Sequence, residues 1–260
     1  MLESTLTHLE TPSIKKTRTY EILIVDDGSS DGTTSTAIDL AHKYPKSEIR
    51  VAKLEKNLGK GGAVRHAMLH SGGEKLLMVD ADGASRFEDL ELLWKAISEL
   101  APSNEAAVVV GSRAHMVNTD AVVKVCVLFY LPKRIIIDIH DQRSLLRNIL
   151  MYGLHTILRI VGVGHIRDTQ CGFKLFTRRA AQQIFPAQHL TTWIFDVELL
   201  LLAKQLGIPV KEVPVEWHEV AGSKLNVVTD SLQMLRDLLV LRGNQLFGRW
   251  KVEPPKAKSE

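Results

Sequence analysis

The chain has little cysteine. Cys126 and Cys171 are its only two, which excludes a disulfide framework and points to a reducing compartment. It has no apolar run of about eighteen residues or more, so no membrane-spanning helix is expected. The start, Met1-Leu2-Glu3-Ser4-Thr5, holds no apolar core of a secretory leader. Charge of one sign is also scarce: the net charge is +3 over 260 residues, so no nucleic-acid partner is expected. Two phosphate-binding fingerprints are missing as well. Lys60 is not followed by Ser or Thr, which excludes a P-loop. No G-x-G-x-x-G run follows the first expected strand, which argues against a Rossmann-type cofactor binder.

What is present has the balance of a globular protein, with 45% hydrophobic and 24% charged residues. The length suits one large domain or two small ones and allows a real core. Charge is unevenly placed. Acids are frequent from Glu21 to Glu105, and basic residues gather between Lys124 and Arg179. That asymmetry suggests a cation-handling half and an anion- or membrane-facing half. Residues 1–19 are polar and unpatterned and are expected to be a disordered lead-in. Strands are then expected at 20–25, 50–54, 75–79, 106–110 and 210–215. Helices are expected at 33–43, 62–70, 87–100, 145–161, 196–206 and 227–247. The alternation predicts an α/β fold, a mostly parallel sheet with helices on both faces. The tail beyond residue 250 is expected to be loose.

Several segments carry chemistry. A strand runs out into Asp26, Asp27, Gly28 and Ser29, at the edge where open α/β sheets bind ligands. An acid there accepts hydrogen bonds from a base or ribose. Alternatively, Asp26, Ser30 and Asp31 only make the turn and cap the next helix. Asn57, Gly59, Lys60 and Gly61 open a helix, where glycine backbone and free N–H groups suit an anion. The alternative is a plain tight turn. Asp80 and Asp82 stand two residues apart at the end of another strand, with Ala81 between them. Paired hard oxygens suit Mg²⁺ or Mn²⁺ carrying a diphosphate. The alternative is a capping acid. Gly111-Ser112-Arg113 and the run from Arg167 to Lys174 read singly as loops, with Cys171 a small buried residue rather than a nucleophile. Asp196 and Glu198 follow Trp193 and Phe195, with a helix N-cap at Asp196 as the plain reading. Arg143, Arg147, His155 and Arg159 form a basic stripe broken only by Met151. That helix suits anionic headgroups, or else it packs on the sheet with a solvated face.

Taken in order, these segments resemble family 2 glycosyltransferases of the GT-A fold. The run from Val25 to Ser29, Asn57-x-Gly59-Lys60-Gly61 and Asp80-Ala81-Asp82-Gly83 match the nucleotide-sugar half. The runs Gly111–His115, Arg167–Phe176 and Phe195–Leu199, with Trp217 and Gly222-Ser223-Lys224, resemble the dolichyl-phosphate β-glucosyltransferase branch. The resemblance implies inverting transfer of glucose from UDP-glucose to dolichyl phosphate, at the cytosolic face of the endoplasmic reticulum membrane. It implies Asp27 at the uracil and ribose, with Asp26, Gly28, Ser29, Gly59 and Lys60 lining the nucleotide sugar. It implies Asp80 and Asp82 at a Mg²⁺ or Mn²⁺ ion and the diphosphate. Asp168 and Gln170 would stand near the reacting sugar as the catalytic pair. Arg113, Arg143, Arg147, Arg167 and Lys174 would meet phosphate on the acceptor side. Transfer of mannose from GDP-mannose to dolichyl phosphate, or a non-catalytic nucleotide-sugar-binding remnant, are the alternatives.

Two departures stand out. The family places one more strand, ending in a Pro-x-Tyr-Asn-Glu-like motif, ahead of the Asp26 strand, and residues 1–19 carry nothing like it. A shortened chain is therefore expected, with strand neighbours left unpaired. Residues 125–142 are expected to be an insertion.

Overall fold

The computed structural model describes residues 1–118, 166–218, 227–250 and 252. The first strand, β1 (Ile22–Asp26), is an apolar Ile-Leu-Ile-Val run that ends in acid. It pairs in parallel with β2 (Ile49–Lys53) through the helix α3 (Thr33–Lys43). The helix α4 (Lys60–His70) then leads to β3 (Lys75–Val79). A single 3₁₀ turn at Phe87–Asp89 opens α5 (Leu90–Leu100), which is followed by β4 (Val108–Ser112). Beyond residue 165 come β5 (Phe173–Thr177), α6 (Arg178–Ile184), α7 (Phe195–Gln205), β6 (Val210–Pro214) and the long α8 (Val227–Leu246).

The strands form a two-stranded sheet, β1-β2, and a four-stranded sheet of order β3-β5-β4-β6. β4 and β6 are parallel, whereas β5 runs antiparallel to both β3 and β4. The α/β class is the expected one, and β5 is the element that makes the larger sheet mixed. Among the described residues β1 pairs only with β2, and β3 only with β5.

The period of two along each strand splits the core into two layers. Val108, Val110, Leu76, Met78 and Phe176 face α6, α7 and α8. Val109, Phe173, Leu175 and Val213 face α5. α5 meets that layer through Leu90, Leu93 and Ile97, the helical spacing visible in the sequence.

Residues 1–19 are not disordered. Leu2–Leu9 is a helix, α1, and Pro12–Lys15 a short second one, α2. Leu6 and Leu9 are buried, and Leu9 joins the layer around Phe87 and Leu90. Arg18 makes two hydrogen bonds, of 2.7 and 2.8 Å, to the Glu91 carboxylate and stacks 3.9 Å from the Trp94 ring. Scattered apolar residues in a polar stretch thus find partners on α5, which local composition alone does not reveal. The expected insertion at 125–142, the basic helix at 143–159 and most of the tail lie outside the described residues.

Candidate active site

The register of the larger sheet gathers the site. Val79 stands opposite Phe173, so the residue after β3, Asp80, meets the residue before β5, Gly172. A methyl group on Gly172 would fall 2.1 Å from the Asp80 Oδ2, so only glycine leaves room for that carboxylate. Asp80 also accepts a hydrogen bond of 2.8 Å from the Lys60 ammonium, which lies 5.6 Å from the Trp193 ring. Two residues on, Asp82 is exposed, and its Oδ1 accepts from the Ala84 N–H at 2.9 Å.

The turn that presents Lys60 is fixed from below. Gly59 has φ +82°, and a side chain there would strike the Thr191 carbonyl at 2.6 Å. The Gly61 N–H donates to the same carbonyl at 2.7 Å. Gln188 donates to the Gly61 and Leu190 carbonyls, and the buried Glu198 carboxylate accepts from the His189 and Leu190 N–H groups. Burial pushes the pKa of Glu198 up, and these hydrogen bonds oppose that. Thr192 reaches on to Asp237 of α8 at 2.5 Å.

The first acidic strand end is built differently. Asp26 is buried, and its two oxygens take the Ser29 N–H and the Thr34 hydroxyl. The Ser29 and Thr34 hydrogen bonds hold its pKa below the ordinary value. Asp26 is thus spent on the turn, which favours the turn-making alternative for this residue. Asp27 is half-exposed and accepts from the Leu58 N–H at 2.7 Å, which ties β1 to the Gly59 turn. Gly28 has φ +72°, with the Lys56 backbone 2.9 Å from where a side chain would start.

At the end of β4, Arg113 grips Asp168 through its backbone N–H, Nε and Nη2 at 2.9, 2.7 and 2.9 Å. Trp217 lies 5.4 Å from the guanidinium. Burial raises the pKa of Asp168, but the Arg113 hydrogen bonds and charge outweigh it, and the carboxyl ends below its ordinary value. Glu212 of β6 holds this loop by accepting from the Arg167 and Asp168 N–H groups.

A family model described as Glycosyl transferase family 2 matches residues 2–185. A protein named Dolichyl-phosphate beta-glucosyltransferase from Dictyostelium discoideum is 44% identical over 254 residues, 97% of this chain and 72% of that protein. Proteins of the same name from Saccharomyces cerevisiae and Homo sapiens are 45% and 44% identical, covering 89% and 97% of this chain and 67% and 73% of those proteins. The chain belongs to glycosyl transferase family 2.

Solved structures agree on the fold of this glycosyltransferase. Glucosyl-3-phosphoglycerate synthase of Mycobacterium tuberculosis superposes with a TM-score of 0.55 at 17% identity, over 93% of this chain and 74% of that one. Its complex with Mg²⁺ and uridine diphosphate gives 0.56 at 16% identity, over 93% and 73%. Another complex of that enzyme contains Mn²⁺, UDP-glucose and glycerol 3-phosphate. The fold is GT-A, and divalent metals are used within it. Among the described residues of this glycosyltransferase, no three His, Cys, Asp or Glu side chains form a closed metal cage. Asp80 and Asp82 offer two carboxylates, a donor set that fits a hard cation taking its other oxygens from a diphosphate.

Some expected site residues take other positions. Lys174, expected on the acceptor side, stands in the core. It is fully buried, with its ammonium 2.6 Å from Asp196 and 2.5 Å from the Cys171 carbonyl. The cause is the strand period: Phe173 and Leu175 face α5, so Lys174 faces α7, where Asp196 waits. Asp196 likewise makes no helix cap; Ile194 stands at that position. Burial pushes its pKa up against the pull of Lys174. Arg113 is engaged by Asp168, so neither is an unengaged charge. Arg167 is exposed, and the half-buried Gln170 lies against Met234 of α8. Arg143 and Arg147 lie outside the described residues. Cys171 is buried, and burial with the nearby Asp168 charge pushes its thiol up to about 11, so it is an inert core residue. Reading the sequence missed Glu212 and Gln188. Each acts on a residue far away in the chain, so no local spacing marks it.

Proposed function

We propose that this chain transfers glucose from UDP-glucose to dolichyl phosphate, with inversion at the sugar. The observation that supports it most is the Asp80–Asp82 pair beside Lys60, in a chain 44% identical to proteins named for that reaction. The mannosyl alternative is not favoured by these relatives. Asp80 and Asp82 are the residues that would hold Mg²⁺ or Mn²⁺. When bound, such a cation offsets charge on the departing diphosphate.

The protein's own residues do the rest. Gly172 sets the position of Asp80. The Gly59 turn aims Lys60 at the same place, and Asp27 anchors that turn to the strand that would receive the uridine. The acceptor is a phosphate monoester, which is already ionised at neutral pH, so no strong base is required. Asp168 fits that economy: held ionised by Arg113, it positions the guanidinium rather than removing a proton. Arg113, Arg167, Arg143 and Arg147 are our candidates for the acceptor phosphate, and Gln170 for contact near the sugar. The site belongs, on this reading, at the cytosolic face of the endoplasmic reticulum membrane, in the route that supplies glucose for N-glycosylation.

Calorimetric titration separates the donor readings. UDP-glucose is expected to bind in the presence of Mn²⁺ and GDP-mannose to bind much more weakly. Equal binding of the two would remove the basis for a glucosyl assignment.

A further inference from the structure

The helix α8 has two unlike faces. Leu238 and Leu241 are buried in the core, and Asp237 turns inward to Thr192. The outward face carries Leu232, Arg236, Leu239, Val240, Leu246 and, just beyond the helix, Phe247. At about 100° per residue these positions fall on one half of the circumference, along about four turns. Leu246 and Phe247 are 70% and 81% exposed. Single exposed apolar residues are ordinary, but a stripe of this length marks an interaction surface.

The chemistry of the stripe selects its partner. No acid shares the face, Arg236 sits within it, and the exposed Arg249 follows it. No described helix is long and apolar enough to cross a membrane. An apolar stripe with basic residues on a helix of that kind suits a position in the plane of an anionic lipid surface.

We propose that this face of α8 lies on an anionic bilayer, with Leu239, Leu246 and Phe247 at the boundary of headgroups and acyl chains. Arg236 and Arg249 meet the headgroups. The inference rests on the proposed function for its purpose: an acceptor phosphate carried on a long isoprenoid stays in the bilayer, so the site must come to it. The inner face of the same helix supplies the link. Asp237 holds the Thr192 loop that supports the Lys60 turn, and Met234 lies against Gln170. A surface-bound α8 therefore keeps the site beside the membrane.

Co-sedimentation of the full chain with lipid vesicles tests this. We expect the chain to pellet with vesicles of phosphatidylcholine and phosphatidylserine, and less with phosphatidylcholine alone. The double variant Leu239→Glu, Phe247→Glu is expected to bind about tenfold less, because apolar area leaves the lipid and two like charges meet it. With a water-soluble short-chain isoprenyl phosphate as acceptor, its transfer rate should match that of the unaltered chain. Vesicle binding that survives the double substitution overturns the proposal. So does a chain that ignores vesicles and forms a dimer which the substitution dissociates, and so does a double substitution that unfolds the protein. Lipid binding without transfer to any acceptor would strike the proposed reaction and leave this surface standing.

Discussion

Gly172 is the residue on which the position of Asp80 depends. A methyl group there must displace the carboxylate, because the nearest oxygen is 2.1 Å away. Gly172→Ala is expected to lower the transfer rate about a hundredfold, the usual cost of moving a reacting group by about an ångström. Steady-state kinetics on the purified variant checks it, and a small change would mean that Asp80 has no fixed role. Asp82 offers the opposite case. It is exposed and, among the described residues, accepts one hydrogen bond, from the Ala84 N–H, so Asp82→Ala should cost no more than about 1 kcal/mol of stability while abolishing transfer. Denaturant unfolding read beside activity separates the two effects.

Asp168 carries a pH signature. Its folded pKa lies below the unfolded value of about 3.9, so its contribution to stability is present above that value. The contribution is lost as pH falls through the folded pKa. The difference in stability between the native chain and Asp168→Asn should therefore be full at neutral pH and shrink below about pH 4. A difference that stays constant down to pH 3 would show that Arg113 does not hold the carboxylate ionised.

Among the elements, β5 carries the most unexpected chemistry. Its five residues, Phe-Lys-Leu-Phe-Thr, are all buried, and the lysine in the middle hides the strand from an apolar count. The sequence therefore reads there as a loop motif, while Lys75–Val79 and Thr33–Lys43 are read residue for residue. Those two stand alone in a strand–turn–helix rhythm, with Gly or acid at their ends. β5 instead takes its identity from partners on both sides, β3 and β4, which local pattern cannot show. The same holds for the Lys174–Asp196 pair, made by residues 22 positions apart across a strand and a helix. Lys174→Ala leaves a buried unpaired carboxylate and is expected to cost about 3–5 kcal/mol. Lys174→Met with Asp196→Leu should cost much less. A double-mutant cycle by urea unfolding measures it, and additive losses would contradict the pairing. α1 makes a milder demand. Leu9→Ala is expected to cost about 2–3 kcal/mol because Leu9 packs against the Phe87 layer. No change in thermal midpoint would return residues 1–19 to the role of a loose lead-in.

On the scale of the whole molecule, the candidate site is a meeting of strand ends. β3 delivers Asp80, β4 delivers Arg113, β6 delivers Glu212, and the approach to β5 supplies Asp168 and Gly172. The smaller sheet adds Asp27 and reaches the rest through the Gly59 turn and Lys60. Asp26, Asp27 and Asp80 were legible because they stand at the ends of short apolar runs. The site's supports Gln188 and Glu212 were not, because they act across more than forty residues. The C-terminal helix closes this arrangement from outside, reaching the Lys60 turn through Thr192 and Asp237.

The central claim is tested most directly by transfer itself. The full chain is incubated with UDP-glucose labelled in the sugar, Mn²⁺ and dolichyl phosphate, and the label in the lipid phase is counted for the native chain and for Asp82→Ala. The account predicts glucose in the lipid phase with the native chain and none with the variant. A native chain that binds UDP-glucose yet leaves the lipid unlabelled, or a variant that labels it equally well, would contradict it.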